Sequence, residues 1–380
     1  MAGAREGAFR ELISPFLRAK IEEAAQRFGD ASPQHGALTR QYVKSSQEDF
    51  LQTSERGRHY QSEVHISFED QPVIGVERLY KRTILIEPTT VCAAHCRWCL
   101  RGQYPIQTMK PEQIKHAARY IGADFQRDEI SEVLITGGDP LMSLNLLRCT
   151  LDALQSHAPN VRTVRIGSRV PFQDPERVSG AMLELFSGYR HFRFELGCNV
   201  NHPIEFWPES ITAIRRLQDI GFRIYNQHPL LKGVNDDFDT LVELYSLLRD
   251  HDIEAHYLFH AIPLRGMRHH RTSLERGLEL AARISACGAF SGRAKPRYAV
   301  LSDIGKIVLY QGTVVDRREV DNAVLLRSGF KLDERRRWNP SWPIPDSVVL
   351  DNDGTMMTWY LDGTDQDENL EYPASLRARG

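Results

Sequence analysis

Apolar and polar positions along most of the chain follow two alternating periods. Short β-branched runs recur at residues 83–87, 132–136, 163–167, 192–197, 222–226 and 255–260, and each has the length and composition of a buried strand. Longer stretches of helical period follow them, at 111–125, 143–157, 175–186, 208–220, 238–250 and 273–286. In the second of these Leu144, Leu147, Leu151 and Leu154 share a face. In the fourth Ile211, Ile214 and Leu217 do, and Gly221 stands as a stop. Thr272 and Glu275 have capping-box spacing ahead of the last. Six βα units in series predict an α/β fold, a parallel sheet with helices outside. An open doubly wound sheet and a barrel both fit this alternation.

The flanks differ. Residues 1–80 are polar and broken up; 11–28 form an amphipathic stretch with Leu12, Phe16, Ile21 and Ala25 on one side, and 34–56 show no clear period. No chemical motif falls there, and the segment is expected to be an N-terminal helical cap. After residue 300 the pattern turns to strands, at 298–301, 306–309, 347–350 and 356–361, the last two joined through Asp351-Asn352-Asp353-Gly354. The expected organisation is thus a cap over 1–80, a central domain over 81–300 and a C-terminal β-containing extension over 301–380.

Composition narrows the class. The chain has 380 residues, 41% of them hydrophobic, and a formal net charge of −2, so no global pull toward nucleic acid or anionic membrane is expected. Runs such as Arg335-Arg336-Arg337 are local, and the near-neutral charge argues against an RNA-modifying role. No apolar run approaches the ~20 residues of a membrane helix, and the N-terminus lacks the apolar segment of a secretion signal. Cys149, Cys198 and Cys287 are scattered, unlike a disulfide framework. A cytoplasmic location is the expectation.

The other three cysteines change the picture. Cys92, Cys96 and Cys99 stand at C-x3-C-x2-C directly after the first strand. Clustered thiolates suit zinc or iron–sulfur chemistry, and three are one short of the four that an ordinary cluster takes. A non-catalytic zinc module with His95 as fourth ligand is the alternative, although His95 adjoins Cys96 in a tight loop. Further candidates stand at the following strand ends. Gly137 and Gly138 permit close backbone approach, and Asp139 can accept from an ammonium. Arg169, after Ser168, presents a planar fork to a carboxylate. Asn199, Asn201 and His202, then Asn226 and Gln227, suit hydrogen bonding to an adenosine or an amino acid.

The cysteine triad with Trp98 before its last member resembles the signature of radical S-adenosylmethionine (SAM) enzymes. Leu134-Ile135-Thr136-Gly137-Gly138-Asp139, Ile166-Gly167-Ser168-Arg169, Asn201-His202-Pro203, Asn226-Gln227 through Asn235-Asp236, and Gly266 with Arg271-Thr272 extend the match. Over about residues 70 to 312 the chain resembles lysine 2,3-aminomutase and its relatives. That resemblance implies a partial (β/α)6 barrel and a [4Fe–4S] cluster on Cys92, Cys96 and Cys99, whose open iron binds SAM to yield a 5′-deoxyadenosyl radical. It places Gly137, Gly138 and Asp139 at the methionyl amino group, and Trp98, Ser168, Arg169, His202 and Gln227 in the cofactor pocket. It makes Arg101 the holder of the substrate carboxylate. It further implies a small amino-acid-like substrate, an electron donor such as flavodoxin or ferredoxin, pyridoxal phosphate as second cofactor, and leaves a homo-oligomer open.

The chain departs from the family in one region. Before Pro296-Arg297-Tyr298 the glycine run around the Schiff-base lysine is replaced by Phe290-Ser291-Gly292-Arg293-Ala294-Lys295. Lys295 is the one candidate there for holding pyridoxal phosphate, out of the usual register. Ala261-Ile262-Pro263 is apolar where lysine-binding relatives carry an acidic residue, and a buried ammonium without a carboxylate is costly. Asp237 stands where some relatives place a zinc-binding cysteine. Two outcomes follow: an amino-group 2,3-shift, which needs the imine, or a pyridoxal-independent epimerisation, elimination, oxidation or skeletal rearrangement.

Overall fold

The computed structural model describes residues 10–49, 66–100, 107–126, 128–264, 266–310 and 312–365. Two helices open it, α1 (Pro15–Phe28) and α2 (Pro33–Tyr42). Each starts on a serine, Ser14 or Ser32, whose hydroxyl accepts from the backbone of the first turn, and each has proline at its first position. α2 lies in the stretch that shows no period in the sequence; its local start signal rather than a stripe defines it. A small hairpin, β1 (Ser67–Phe68) and β2 (Gln71–Pro72), leads to β3 (Val76–Glu77).

The βα units follow in order. They are β4 (Thr83–Thr89) with α3 (Pro111–Gly122), β5 (Glu132–Gly137) with α4 (Leu144–His157), and β6 (Thr163–Gly167) with the single turn α5 (Val170–Gln173) and α6 (Gly180–Ser187). Then come β7 (Arg193–Cys198) with α7 (Pro208–Asp219), β8 (Arg223–Leu230) with α8 (Phe238–Asp250), and β9 (Glu254–His260) with α9 (Leu274–Ala286). β10 (Arg297–Ser302) adds a seventh parallel strand, and β11 (Gly305–Val308) turns back against it. The hydrogen-bonded order is β11-β10-β9-β8-β7-β6-β5-β4-β3, a nine-stranded curled sheet with two antiparallel edges. This is the partial barrel expected of the sequence, except that its sheet continues to Val308 rather than stopping at 300.

Alternation along each strand sorts the residues. Ile84, Ile86, Val133, Ile135, Val164 and Ile166 are fully buried and pack with Ile114, Leu147, Leu151 and Leu154 of the covering helices. Each such side chain contributes about 1.5–3 kcal/mol by burial. The intervening positions face the concave side, where Arg165 meets Glu132 at 2.7 Å and donates to the Tyr225 hydroxyl at 2.6 and 2.9 Å. The N-cap of α9 is Ser273, accepting from the Arg276 amide at 3.0 Å, not Thr272, which is one residue too early to reach it.

The C-terminal region is a four-stranded antiparallel sheet in the order β12 (Val314–Arg318), β13 (Ala323–Lys331), β15 (Thr355–Leu361), β14 (Val348–Leu350), with α10 (Leu332–Trp338) between. Val324, Leu326, Met356 and Tyr360 join the main core. Among the described residues no helix is long and apolar enough to cross a membrane.

Candidate active site

The site forms where β4, β5, β6, β7 and β8 end, the edge at which parallel sheets gather functional residues. Cys92, Cys96 and Cys99 follow β4 in a loop fixed from both sides. On one side the Gly138 amide donates to Thr89 O at 2.7 Å and the Asp139 amide to Val91 O at 2.8 Å. A Cβ on Gly137 would stand 2.4 Å from Thr89 O, and one on Gly138 2.3 Å from Val91 O. The glycine pair therefore admits the cysteine loop. On the other side the His95 amide donates to Leu12 O and the Arg97 amide to Gln41 O, both at 2.8 Å, while Arg97 forms an ion pair with Glu48. Leu17, Leu38, Tyr42, Ala94, Cys96 and Trp207 share one apolar cluster with Trp98 packed on it. The N-terminal helices thus cover the cysteine loop.

All six cysteines are free thiols. Cys92, Cys96 and Cys99 line one cavity of about 230 Å³ with Trp98, Gly137, Gly138, Asp139, Ser168, Arg169, Cys198, Asn199 and Gln227 among its walls. Among the described residues no three His, Cys, Asp or Glu side chains come together as ligands of one ion. Three thiols on one cavity are one short of the four protein ligands that a structural zinc or an ordinary cluster takes. The His95 ring contacts Arg10 O through Nδ1 at 2.7 Å.

Asp139 braces two strand ends. Its carboxylate accepts from the Leu141, Arg169 and Val170 amides at 3.0, 2.8 and 3.1 Å and from the Ser168 hydroxyl at 2.8 Å. Burial pushes its carboxyl up to about 6 against those donors. Ser168 is spent on the same brace. Arg169 is buried between the faces of Tyr42 and Trp98, 5.3 and 5.4 Å from their centres. It donates to Glu205 at 2.7 Å, Asn199 O at 2.9 Å and the sulfur of Cys96 at 2.9 Å. Burial, then the charges of Cys99 and Asp139, raises the Cys92 thiol well above its ordinary value; metal binding would displace that proton.

Three wall atoms are buried with no hydrogen-bond partner: Trp98 Nε1, Asn199 Oδ1 and Gln227 Oε1. An unpaired buried polar atom costs roughly 1–3 kcal/mol, and these three supply one donor and two acceptors to a polar ligand. The thiols and these atoms fit a cluster carrying a polar cofactor.

Two expected residues stand elsewhere. His202 does not line the cavity; its Nδ1 accepts from the Ile204 amide at 3.1 Å and caps a short turn. Lys295 donates to Ser285 O at 2.6 Å and Cys287 O at 2.8 Å, closing the carbonyl end of α9. No lysine is among the described residues of the wall, so a Schiff-base cofactor does not fit at Lys295 in this arrangement. Arg101 lies outside the described residues. Sequence reasoning missed Gln41, Tyr42, Gln173 and Glu205, which surround Arg169 and Cys96.

Comparison with known proteins agrees with this geometry. The radical SAM superfamily matches residues 86–245. The chain is 32% identical over 234 residues to a putative L-lysine 2,3-aminomutase of Aquifex aeolicus, covering 61% of this chain and 62% of that one. It is 34% identical over 236 residues to an L-lysine 2,3-aminomutase of Methanococcus maripaludis, covering 61% and 53%. It is 30% identical over 254 residues to a glutamate 2,3-aminomutase of Clostridioides difficile, covering 62% and 58%. The chain therefore spans less than two thirds of the length of these curated relatives. The chain is thus similar to the radical SAM superfamily over residues 86–245 and to the lysine 2,3-aminomutases over about three fifths of its length.

Proposed function

We propose that the chain is a radical SAM enzyme that removes a hydrogen atom from an amino acid or a related carboxylate-bearing small molecule. Cys92, Cys96 and Cys99 are the cluster ligands. When bound, the cluster and SAM together supply a 5′-deoxyadenosyl radical. Trp98 Nε1, Asn199 Oδ1 and Gln227 Oε1 bind the polar edges of the cofactor, and Gly137 and Gly138 let it approach the backbone. Asp139 and Ser168 hold the two loops in register. Helices α1 and α2 keep water from the cysteine loop. Arg101 grips the substrate carboxylate, and a low-potential carrier such as flavodoxin or ferredoxin supplies the electron.

The observation that carries this proposal is the set of three unpartnered wall atoms beside three thiols. The test is anaerobic reconstitution followed by incubation with SAM, dithionite and a panel of amino acids, scoring 5′-deoxyadenosine by mass. Substrate-dependent 5′-deoxyadenosine is expected; one tightly held zinc and no nucleoside product would refute it.

The relatives' names differ in substrate, lysine or glutamate, so the substrate does not follow from kinship. Amino-group migration is the family outcome. The position of Lys295 on the carbonyls of α9 favours the second outcome, a pyridoxal-independent epimerisation, elimination or rearrangement. A pyridoxal-type absorption band in purified protein, lost on Lys295→Ala, would decide for migration.

A further inference from the structure

Cys96 is set apart by what points at its sulfur. Arg169 Nη1 donates to it at 2.9 Å and Gln173 Nε2 at 3.3 Å. Both donors come from one buried turn, α5 and its preceding residue. Neither is free to swing. Arg169 is fixed by Glu205, by Asn199 O and by two aromatic faces, and its own amide is held by Asp139. Gln173 is buried at 2% exposure, and its carbonyl accepts from the Ser14 hydroxyl at the start of α1.

N–H···S bonds withdraw charge from a thiolate and favour the more negative, reduced state of the cluster it ligates. A low-dielectric surround strengthens that effect. Cys96 is 9% exposed and sits inside the apolar cluster formed by α1, α2 and Trp207. We infer that Arg169 and Gln173 are positioning residues that act through Cys96 to raise the reduction potential of the proposed cluster, easing its one-electron reduction by the donor. The inference rests on the cluster assignment and goes beyond it, because it gives a redox role to two residues that bind no iron. It also explains why the N-terminal helices reach this loop: they enclose the donors and the sulfur together.

The test is an EPR-monitored redox titration of the full chain, reconstituted anaerobically, with iron and sulfide counted per chain. Gln173→Met removes one donor at similar volume, and Arg169→Lys keeps the charge but loses the fork. Both are expected to shift the midpoint potential to more negative values at wild-type iron content, Arg169→Lys by more. A fully loaded Gln173→Met protein with the wild-type midpoint overturns the inference, whatever Arg169→Lys does. A wild-type chain that takes up no cluster overturns the proposed function itself, so the two failures are distinct.

Discussion

The guanidinium of Arg169 and the carboxylate of Glu205 meet at 2.7 Å with side chains 9% and 0% exposed. Glu205 is more than a counter-ion. It also accepts from the Asn201 and His202 amides at 2.8 and 3.0 Å and from Gln41 at 3.3 Å. Removing one partner of a buried pair leaves the other charged and dry, at a cost of about 3–5 kcal/mol. Glu205→Ala is therefore expected to lose stability on that scale in denaturant unfolding. A loss no larger than that of an exposed substitution would show that the pair is not closed in solution.

Gly138 offers a change that leaves every proposed ligand in place. An added Cβ would lie 2.3 Å from Val91 O and 2.4 Å from Thr90 C, both backbone atoms of the cysteine loop. Overpacking of this kind costs about 1–3 kcal/mol and is relieved by moving the softer segment. Gly138→Ala is expected to reduce iron retained after reconstitution well below wild type. Gly180→Ala is the control, since nothing lies within 4 Å of its added Cβ. Equal iron in both variants would refute the loop-spacing role.

These two positions show what a linear pattern can carry. The βα alternation was legible because burial on a strand and a stripe on a helix are local properties, visible in Val133 with Ile135 or Leu147 with Leu151. The cysteine triad was legible for the same reason. The surroundings of Arg169 were not, because Gln41 lies 128 residues away and Glu205 36. Nothing near Lys295 in sequence says that α9 ends under its amine; only the placed helix does. Strand β12 carries no such signal, because Val314–Arg318 is mostly exposed and charged, with no alternation to mark it.

Lys306 carries a pH signature. Its Nζ lies 5.1 and 5.2 Å from the ring centres of Tyr257 and Phe259. Burial first, then the like charge of Arg165, pushes its amine from 10.5 down to about 8. Below about 8 native and unfolded chains both carry the proton, and the native state bears the whole penalty. Between about 8 and 10.5 the unfolded chain binds more protons, so this group's contribution to stability rises with pH. Lys306→Met is expected to stabilise the protein at about pH 7 by on the order of 1–3 kcal/mol. The gain should shrink as pH climbs through that window. Unfolding titrations at about pH 7 and about pH 10 check both the sign and its decline.

Cys198 tests whether the proposed iron centre keeps an open corner. It lines the same cavity as Cys92, Cys96 and Cys99 and could in composition complete a four-thiolate set. Its surroundings oppose that. The buried thiol donates to Tyr225 O at 3.4 Å and so is engaged with the backbone of β8. A serine can donate to the same carbonyl. Cys198→Ser is therefore expected to keep wild-type iron and sulfide, whereas serine at 92, 96 or 99 should each lose the cluster. If Cys198→Ser empties the site as the others do, four thiolates close the cluster, no iron is left for SAM, and the chemistry proposed for this cavity cannot begin there.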